Sequence, residues 1–243
     1  MLGSWLGPQP VGRLVSALLL ALALNAGAQS IRDFHVPEPL PEHSVLVVGF
    51  VGGFEKWNDS HRGVRKVALS LRALNLPGVY VETLENRRRK LALKLIAQTA
   101  SRQALAQSGR IVLYGQSWGG AAVVRTARDL SALGLRVLLT VQVDSVGVDD
   151  SVIPANVLNA VNIFQNDPFG IVGRNLIRAE DPGATRIIEN TRMSYALSPY
   201  NISSPDMSWA RRTLGGSHAK MEADEHVWAH VQDLIVRAIK DEL

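Results

Sequence analysis

A serine between two glycines is the chemically most informative feature of the sequence. It lies in the run Gly115-Gln116-Ser117-Trp118-Gly119, directly after the mostly apolar segment 110–114. A sharp strand-to-helix turn that lifts a hydroxyl clear of a sheet leaves room only for very small residues two positions before and after it, and both are glycine here. The pattern predicts that Ser117 is a nucleophile. The alternative is an ordinary glycine-rich turn between a strand and a helix.

A serine hydroxyl is a weak nucleophile and needs a base, usually a histidine that a carboxylate orients. Of the six histidines, we predict that His218 is this base, because it follows a Gly-Gly-Ser run and precedes the last predicted helix. We expect it in a loop over the sheet edge. The other histidines either lack the glutamate of an H-E-x-x-H zinc motif or precede Ser117 and so break the expected order of serine, acid and histidine. His226 and His230 lack the glutamate, and His35, His43 and His61 precede Ser117.

The carboxylate that orients the histidine has two candidates. Asp144 stands at the end of a strongly apolar run, in Val143-Asp144-Ser145-Val146-Gly147, which predicts that it lies in the same layer as Ser117. Asp167, after the next predicted strand, is the alternative acid. A simple Asp-Pro turn also explains Asp167, since Pro168 follows it.

Apolar runs and helix-period patterns alternate along the chain. The run from Gly49 to Phe54 is predicted as a flexible loop. Strands are predicted at 45–48, 79–83, 110–114, 135–143, 161–164 and 185–188, and helices at 62–74, 87–107, 118–132 and from about Asp224, a plausible N-cap, to Ile239. This alternation predicts an α/β fold, with a mostly parallel sheet covered by helices on both faces. Side chains that follow the carboxyl ends of such strands gather at one edge.

With these residues in this order, the segment 44–240 resembles the α/β-hydrolase superfamily, and within it the lipase, esterase and thioesterase-like members. The resemblance implies a minimal form of that fold without a large cap domain. It also implies a triad of Ser117, His218 and Asp144, with the acid one strand earlier than usual, as in pancreatic-type lipases. The oxyanion hole implied by the family is made by the backbone N–H groups of Trp118 and Phe50. A His-Gly pair often opens the loop that carries the second donor, and Val48-Gly49 stands there instead.

The activity that this resemblance implies is cleavage of carboxylic esters through an acyl-enzyme. A thioesterase, an amidase and a non-catalytic binding member of the fold are the alternatives. The apolar side chains near the predicted site, among them Phe54 and Trp57, suit the acyl group of a small-molecule or lipid ester. No metal and no organic cofactor is expected, and the oligomeric state is not predicted.

Export is predicted from the first 28 residues. Arg13, an apolar run of eleven residues and the small-x-small site Ala26-Gly27-Ala28 are typical of a removable signal peptide, so residues 29–243 are expected to form the hydrolase domain, periplasmic or extracellular. The ending Lys240-Asp241-Glu242-Leu243 indicates the endoplasmic-reticulum lumen instead if the protein is eukaryotic. No later segment is long and apolar enough to predict a membrane span.

The charge of the chain excludes nucleic acid as an expected partner. The formal net charge is only +4 over 243 residues. One concentrated basic run, Arg87-Arg88-Arg89-Lys90, opens a predicted helix and is interpreted as a solvated face, with steering of anionic substrates or surfaces as the alternative. The chain has no cysteine, so a thiol nucleophile and disulfides are excluded.

Overall fold

The computed structural model describes residues 29–99, 110–168, 170–173, 176–195, 216–241 and 243. The strands in these ranges are β1 (Val45–Val51), β2 (Val79–Glu85), β3 (Ile111–Gln116), β4 (Val137–Val143), β5 (Val152–Ile153), β6 (Val157–Gln165), β7 (Arg178–Ala179) and β8 (Arg186–Met193). Six of them form one parallel sheet in the order β2-β1-β3-β4-β6-β8. The other two, β5 and β7, pair in parallel as a separate small sheet.

Helices cover both faces of the large sheet. They are α1 (Gly63–Ala73), α2 (Arg89–Thr99), α3 (Trp118–Ala132), α4 (Gly216–Ala223) and α5 (Glu225–Ile239). One buried apolar cluster joins the sheet to α1 and α5, and a second cluster joins it to α2 and α3. The predicted α/β fold with helices on both faces is confirmed, and the arrangement is consistent with a minimal α/β-hydrolase-like architecture.

Strand β1 shows why the sequence favours this layering. All seven of its residues are buried, as in the unbroken apolar strands of parallel sheets. Because side chains alternate across a strand, Val45 and Val47 belong to the cluster with α1 and α5, whereas Leu46, Val48 and Phe50 belong to the cluster with α2 and α3. One short run of residues thus anchors both helical layers.

Two of the predicted helices have nearly the predicted bounds, and the last begins where its cap was expected. The structure has α1 at Gly63–Ala73 and α3 at Trp118–Ala132. The side chain of Asp224 accepts a hydrogen bond of 3.0 Å from the backbone N–H of His226 at the start of α5. This is the N-cap contact that short acidic side chains provide.

The predicted loop from Gly49 to Phe54 is partly wrong, because β1 continues to Val51. Phe50 pairs with Leu84 of β2 on one side and with Gly115 of β3 on the other, and its side chain is fully buried. Pairing on both sides keeps the chain extended past Gly49, so the loop starts only at Gly52.

The predicted loop position of His218 is also wrong. His218 lies in α4, which begins at Gly216 and ends at Ala223. The two glycines before it suggested a turn, but the residues after it, from Ala219 to Ala223, are mostly good helix formers. Their helix propensity and the burial of Met221 favour a short helix here.

Strands β1, β2, β3, β6 and β8 extend beyond the segments predicted for them, and two short strands were not predicted at all. The predicted segments 161–164 and 185–188 correspond to β6 and β8, and these strands run on to Gln165 and Met193, with β6 also beginning earlier, at Val157. Polar residues such as Asn159 and Asn190 interrupt the apolar pattern there, although both lie on paired strands. The two-residue strands β5 and β7 are too short to leave a periodic signal.

Some predictions lie partly or wholly outside the described residues. These are the signal peptide over 1–28, the part of the predicted 87–107 helix beyond Thr99, and the complete C-terminal tetrapeptide, since residue 242 is not described. They stay predictions. In the described ranges, no helix has both the length and the apolar character that crossing a membrane requires.

Candidate active site

Ser117 occupies a strained corner between β3 and α3. Its backbone angles are φ 55° and ψ −124°, outside the regions that a serine ordinarily adopts. The flanking glycines are required by close packing: a Cβ on Gly115 would lie 2.5 Å from the carbonyl oxygen of Gly119, and a Cβ on Gly119 would collide with the carbonyl oxygen of Phe50. The glycines expected from the sequence therefore have a steric reason.

Backbone hydrogen bonds hold this corner in place. The N–H of Ser117 donates to the carbonyl of Val143 at the end of β4 (3.0 Å). Its own carbonyl accepts from the N–H of Gly120 (3.0 Å) and from that of Val146 (3.1 Å). The side chain of Ser117 is 8% exposed and lies at the carboxyl end of the sheet. The corner is thus tied both to α3 and to the loop after β4.

The structure brings His218 and Asp144 into direct contact. Nδ1 of His218 lies 2.5 Å from Oδ2 of Asp144. Since an ionised carboxylate only accepts hydrogen bonds, this contact assigns the imidazole proton to Nδ1 and leaves a lone pair on Nε2. His218 is 8% exposed and Asp144 is fully buried. The pair is therefore shielded from water on the aspartate side and reachable on the histidine side.

Asp144 is fixed by neighbours from two segments. It stands directly after β4 with φ 44°, a conformation that short acidic residues tolerate better than most. Oδ1 accepts from the backbone N–H of Gln165 (3.3 Å), and Oδ2 accepts from Nε2 of the same residue (3.0 Å). The backbone of Gly173 packs against Asp144, and a side chain at position 173 would collide with the carboxylate.

Asp167, the alternative acid, makes different contacts. Its carboxylate accepts from the backbone N–H of Tyr195 (2.7 Å) and from the hydroxyl of Ser194 (2.9 Å). Both donors follow β8, so Asp167 ties the end of that edge strand to the end of β6. Of the two predicted acids, the structure puts Asp144 in contact with His218.

Ser117 and His218 line one cleft of about 620 Å³. The described residues show no hydrogen bond between the serine hydroxyl and the imidazole. Instead Nε2 of His218 lies 3.2 Å from Nε2 of Gln116, the residue before the serine, so the Gln116 amide donates to the imidazole lone pair. The contact of Gln116 was not foreseen, because nothing in the local sequence indicates which way its side chain turns.

The residues predicted for the oxyanion hole lie in two different settings. Trp118 is the first residue of α3, where helical N–H groups have no partner within the helix. Phe50 lies inside β1, and the early loop passes beside Ser117 two residues later: a Cβ on Gly52 would be 3.2 Å from the Cβ of Ser117. The N–H of Gly52 donates to Oε2 of Glu55 (3.1 Å).

The two aromatic residues predicted to line the pocket are separated. Phe54 lines the cleft, is 78% exposed and makes an edge-to-face contact with Trp118, with ring centroids 5.3 Å apart. Trp57 lies outside the lining of this cleft, and the guanidinium of Arg65 sits over its ring at 5.5 Å from the centroid. Only Phe54 of the two is positioned to contact a ligand there.

A cluster of charged side chains in the same cleft was missed from the sequence. Arg62 contacts Asp59 through Nε (2.8 Å), and its Nη1 lies 3.2 Å from Glu222 and 3.7 Å from Glu55. The two glutamates are hydrogen-bonded to each other. The only local signal is that Glu222 follows His218 by four residues, which puts both on one face of α4.

Burial and the neighbouring Glu55 carboxylate raise the pKa of Glu222 to about 8. Burial also raises the pKa of Glu55, against the lowering effect of Arg62. Two carboxyl groups this close do not ionise independently, so one proton is shared between them near neutral pH. In the part of the chain that the structure describes, no group of three or more histidine, aspartate and glutamate side chains is arranged to hold a metal ion.

Comparisons with known proteins leave the family open. A scan against protein-family models finds no match to the chain, and a search of the curated proteins finds no match either.

Proposed function

We propose that this protein is a serine hydrolase of the α/β-hydrolase type that cleaves carboxylic esters. Ser117 is the nucleophile, His218 the general base and Asp144 the acid that orients it. The observation that carries the proposal is the 2.5 Å contact between His218 and Asp144, in a cleft that Ser117 also lines from a strained corner. A strained nucleophile next to an oriented imidazole is the arrangement that acyl transfer needs.

The reaction proceeds in two steps, formation of an acyl-enzyme and its hydrolysis. As the oxygen of Ser117 attacks the ester carbonyl, Nε2 of His218 takes the hydroxyl proton and then gives it to the departing alcohol, which leaves an acyl-enzyme. Water attacks the acyl-enzyme next: His218 takes a proton from the water and returns it to Ser117, releasing the carboxylic acid. Asp144 holds the proton on Nδ1 and stabilises the imidazolium that forms in each step.

Before substrate binds, the side-chain amide of Gln116 donates a hydrogen bond to Nε2 of His218. Its amide lies 3.2 Å from Nε2 of His218, where the Ser117 hydroxyl must bind for the proton to move. Rotation of the Ser117 side chain about its Cα–Cβ bond and displacement of the Gln116 amide bring the two catalytic groups together. In the structure both ring nitrogens of His218 are therefore held by hydrogen bonds.

Backbone donors stabilise the oxyanion in this proposal. The N–H of Trp118, at the start of α3, is one of them, and it gains from the positive end of the helix dipole. The resemblance implies Phe50 as the second donor, but Phe50 lies inside β1. The second donor therefore comes from the loop that starts at Gly52, directly after this strand. The proximity of Gly52 to Ser117 supports this loop as its source. One such donor contributes about 3 kcal/mol to lowering the barrier.

Hydrolysis of p-nitrophenyl acetate by three proteins tests the proposal. The wild type is compared with Ser117→Ala and with Ser131→Ala, an exposed serine at the end of α3. We expect turnover by wild type and by Ser131→Ala, and a loss of about 10⁴-fold or more in kcat for Ser117→Ala. Equal turnover by the two variants would reject Ser117 as the nucleophile.

A further inference from the structure

A second groove, of about 780 Å³, is lined by Trp118, and His218 is not among its described lining residues. Its floor is one face of α3: Trp118, Ala121, Ala122 and Arg125 follow one another at the i, i+3, i+4, i+7 spacing of a single helical stripe. The two alanines keep this floor low between the indole ring and the guanidinium. We call this space the basic groove.

The walls of the basic groove carry most of its charge. Five cationic side chains line it, and no aspartate or glutamate is among its described lining residues; the cations are Arg87, Arg88, Arg89, Lys90 and Arg125. A groove of this size with charges of one sign concentrates counter-ions of the opposite sign.

Two of these cations are neutralised by the protein and three are not. Arg87 pairs with Glu85 (2.9 Å), and Arg89 pairs with Asp129 (2.8 Å). Across the described ranges, Arg88, Lys90 and Arg125 have no carboxylate partner; Arg125 donates only to the carbonyl of Val148 (3.3 Å). Three positive charges around one cavity, with no carboxylate partner among the described residues, are therefore available to bind an external anion.

The basic groove is joined to the candidate active site. Trp118 and Val146 line both cavities. Phe54 contacts the Trp118 ring, and the guanidinium of Arg87 lies over the Phe54 ring at 6.0 Å from its centroid. Arg125 follows Ser117 by eight residues along α3, which corresponds to about 12 Å of helix. One molecule can therefore reach from the nucleophile into the groove.

We infer that the basic groove binds a phosphate group carried by the ester substrate whose carbonyl Ser117 attacks. This inference rests on the proposed function. A phosphate carries up to two negative charges and three acceptor oxygens, which suit three free cations, two of them guanidinium groups, better than a single carboxylate does. The hydrocarbon between the two groups lies along Trp118 and the alanine floor.

Two kinds of substrate present this chemistry. One is a water-soluble ester whose alcohol or acyl part ends in a phosphate, and the other is a phospholipid whose headgroup phosphate lies near its ester bonds. The first is a monoester with up to two charges and three free oxygens, and the second is a diester with one charge and two free oxygens. The cations of the groove attract both, and experiment distinguishes them.

Selectivity between two matched esters tests the inference. Both esters have the same acyl group and linker, and one ends in a phosphate where the other ends in a hydroxyl. The groove variant Arg88→Gln/Lys90→Gln/Arg125→Gln is compared with a control variant that removes two exposed arginines and one exposed lysine elsewhere, Arg32→Gln/Lys66→Gln/Arg136→Gln. We expect the ratio of kcat/KM for the phosphorylated ester over the neutral one to fall about 20-fold in the groove variant only. An unchanged ratio would overturn the inference.

A direct binding measurement tests the anion site of the groove independently of the proposed ester hydrolysis. Pyrophosphate is titrated calorimetrically into wild type, groove variant and control variant, with no turnover required. We expect binding by wild type and control and a loss of about 20-fold in affinity in the groove variant. Equal affinity in all three overturns the inference even if esters are hydrolysed. Absence of ester hydrolysis with groove-dependent pyrophosphate binding rejects the proposed function and retains the anion site.

Vesicles identify the source of the phosphate. Turnover of phosphatidylglycerol vesicles is compared with turnover of the soluble phosphorylated ester at equal ester concentration, in wild type and groove variant. Groove-dependent turnover that is higher on vesicles assigns the phosphate to a lipid headgroup, and the reverse assigns it to a soluble substrate. Turnover of both that is the same in wild type and groove variant contradicts the inference.

Discussion

Two clefts meet at Trp118, and their charged groups are organised in opposite ways. The cleft that holds Ser117 and His218 is lined by three carboxylates, and Arg62 contacts all three of them. The basic groove is lined by five cations and, among the described residues, by no carboxylate. In the first cleft Arg62 pairs with the three carboxylates. In the basic groove three cations have no carboxylate partner among the described residues and are available to a ligand.

This difference indicates which groups are fixed before substrate binds. Buried charges are held by several partners each, because an unpaired buried charge is very costly. Asp144, Glu55 and Glu222 belong to this kind. The cations of the groove are half-buried or exposed, so water solvates them and they stay free at little cost. We therefore expect substitutions in the first cleft to affect chemistry and stability, and substitutions in the groove to affect selectivity.

The largest expected effect belongs to His218, the proposed base in the first cleft. We predict that His218→Ala lowers kcat for p-nitrophenyl acetate by about 10⁶-fold, because no other group takes the proton from Ser117. His230→Ala is the matched control, since His230 is exposed and contacts Glu189 on the edge strand. Steady-state kinetics measures both, and similar losses in the two variants would show that His218 has no special role.

The two candidate acids give the next largest effect. In Asp144→Asn the amide presents a donor to the Nδ1 proton, so the imidazole loses its productive tautomer and kcat falls by about 10⁴-fold. Asp167→Asn instead weakens the bonds to Tyr195 and Ser194 and lowers the free energy of unfolding by about 1 kcal/mol, with kcat nearly kept. Denaturant unfolding and kinetics measure both variants, and the reverse pattern would assign the acid to Asp167.

A smaller effect is expected from Glu222, and it depends on pH. Because its pKa is about 8 in the folded protein and lies near 4.5 in the unfolded chain, the folded state binds the extra proton between these values. The free energy of unfolding therefore falls as the pH rises through this window, by at most about 1.4 kcal/mol per pH unit. Glu222→Gln removes this contribution, and Glu225→Gln, an exposed control on α5, keeps it. Parallel stability profiles for wild type and Glu222→Gln would disprove the shared proton.

The smallest effect is that of salt on the basic groove. Raising the salt concentration from about 0.05 M to about 0.5 M shortens the screening length, which weakens attraction between exposed charges and a phosphate. We expect kcat/KM for the phosphorylated ester to fall about threefold relative to the neutral ester. A salt effect of equal size on both esters would mean that the groove charges do not act on the substrate.

The parts of the fold that the sequence predicts are those with local causes. Apolar runs, helical periodicity and the Asp224 cap depend only on residues close together in the sequence. The glycines that flank Ser117 are required by steric contacts at a single turn. The order of Ser117, Asp144 and His218 could likewise be predicted, and the contact between the last two agrees with it.

What the sequence did not predict depends on contacts between distant segments. Glu55 and Glu222 meet across most of the chain, and neither stands in a recognisable motif. The helix around His218 was obscured by the glycines before it. The helical spacing from Trp118 to Arg125 is visible in the sequence. That these residues line a basic groove is not, because the fold brings Arg87 to Lys90 beside them.

The central claim is that Ser117 is activated by the oriented imidazole of His218, and covalent labelling tests it most directly. The protein is treated with a fluorophosphonate, and mass spectrometry locates the modified residue. We expect a single adduct on Ser117, absent in Ser117→Ala and strongly slowed in His218→Ala, while His230→Ala labels as the wild type does. An adduct on another residue, or labelling of Ser117 at an unchanged rate in His218→Ala, would contradict it.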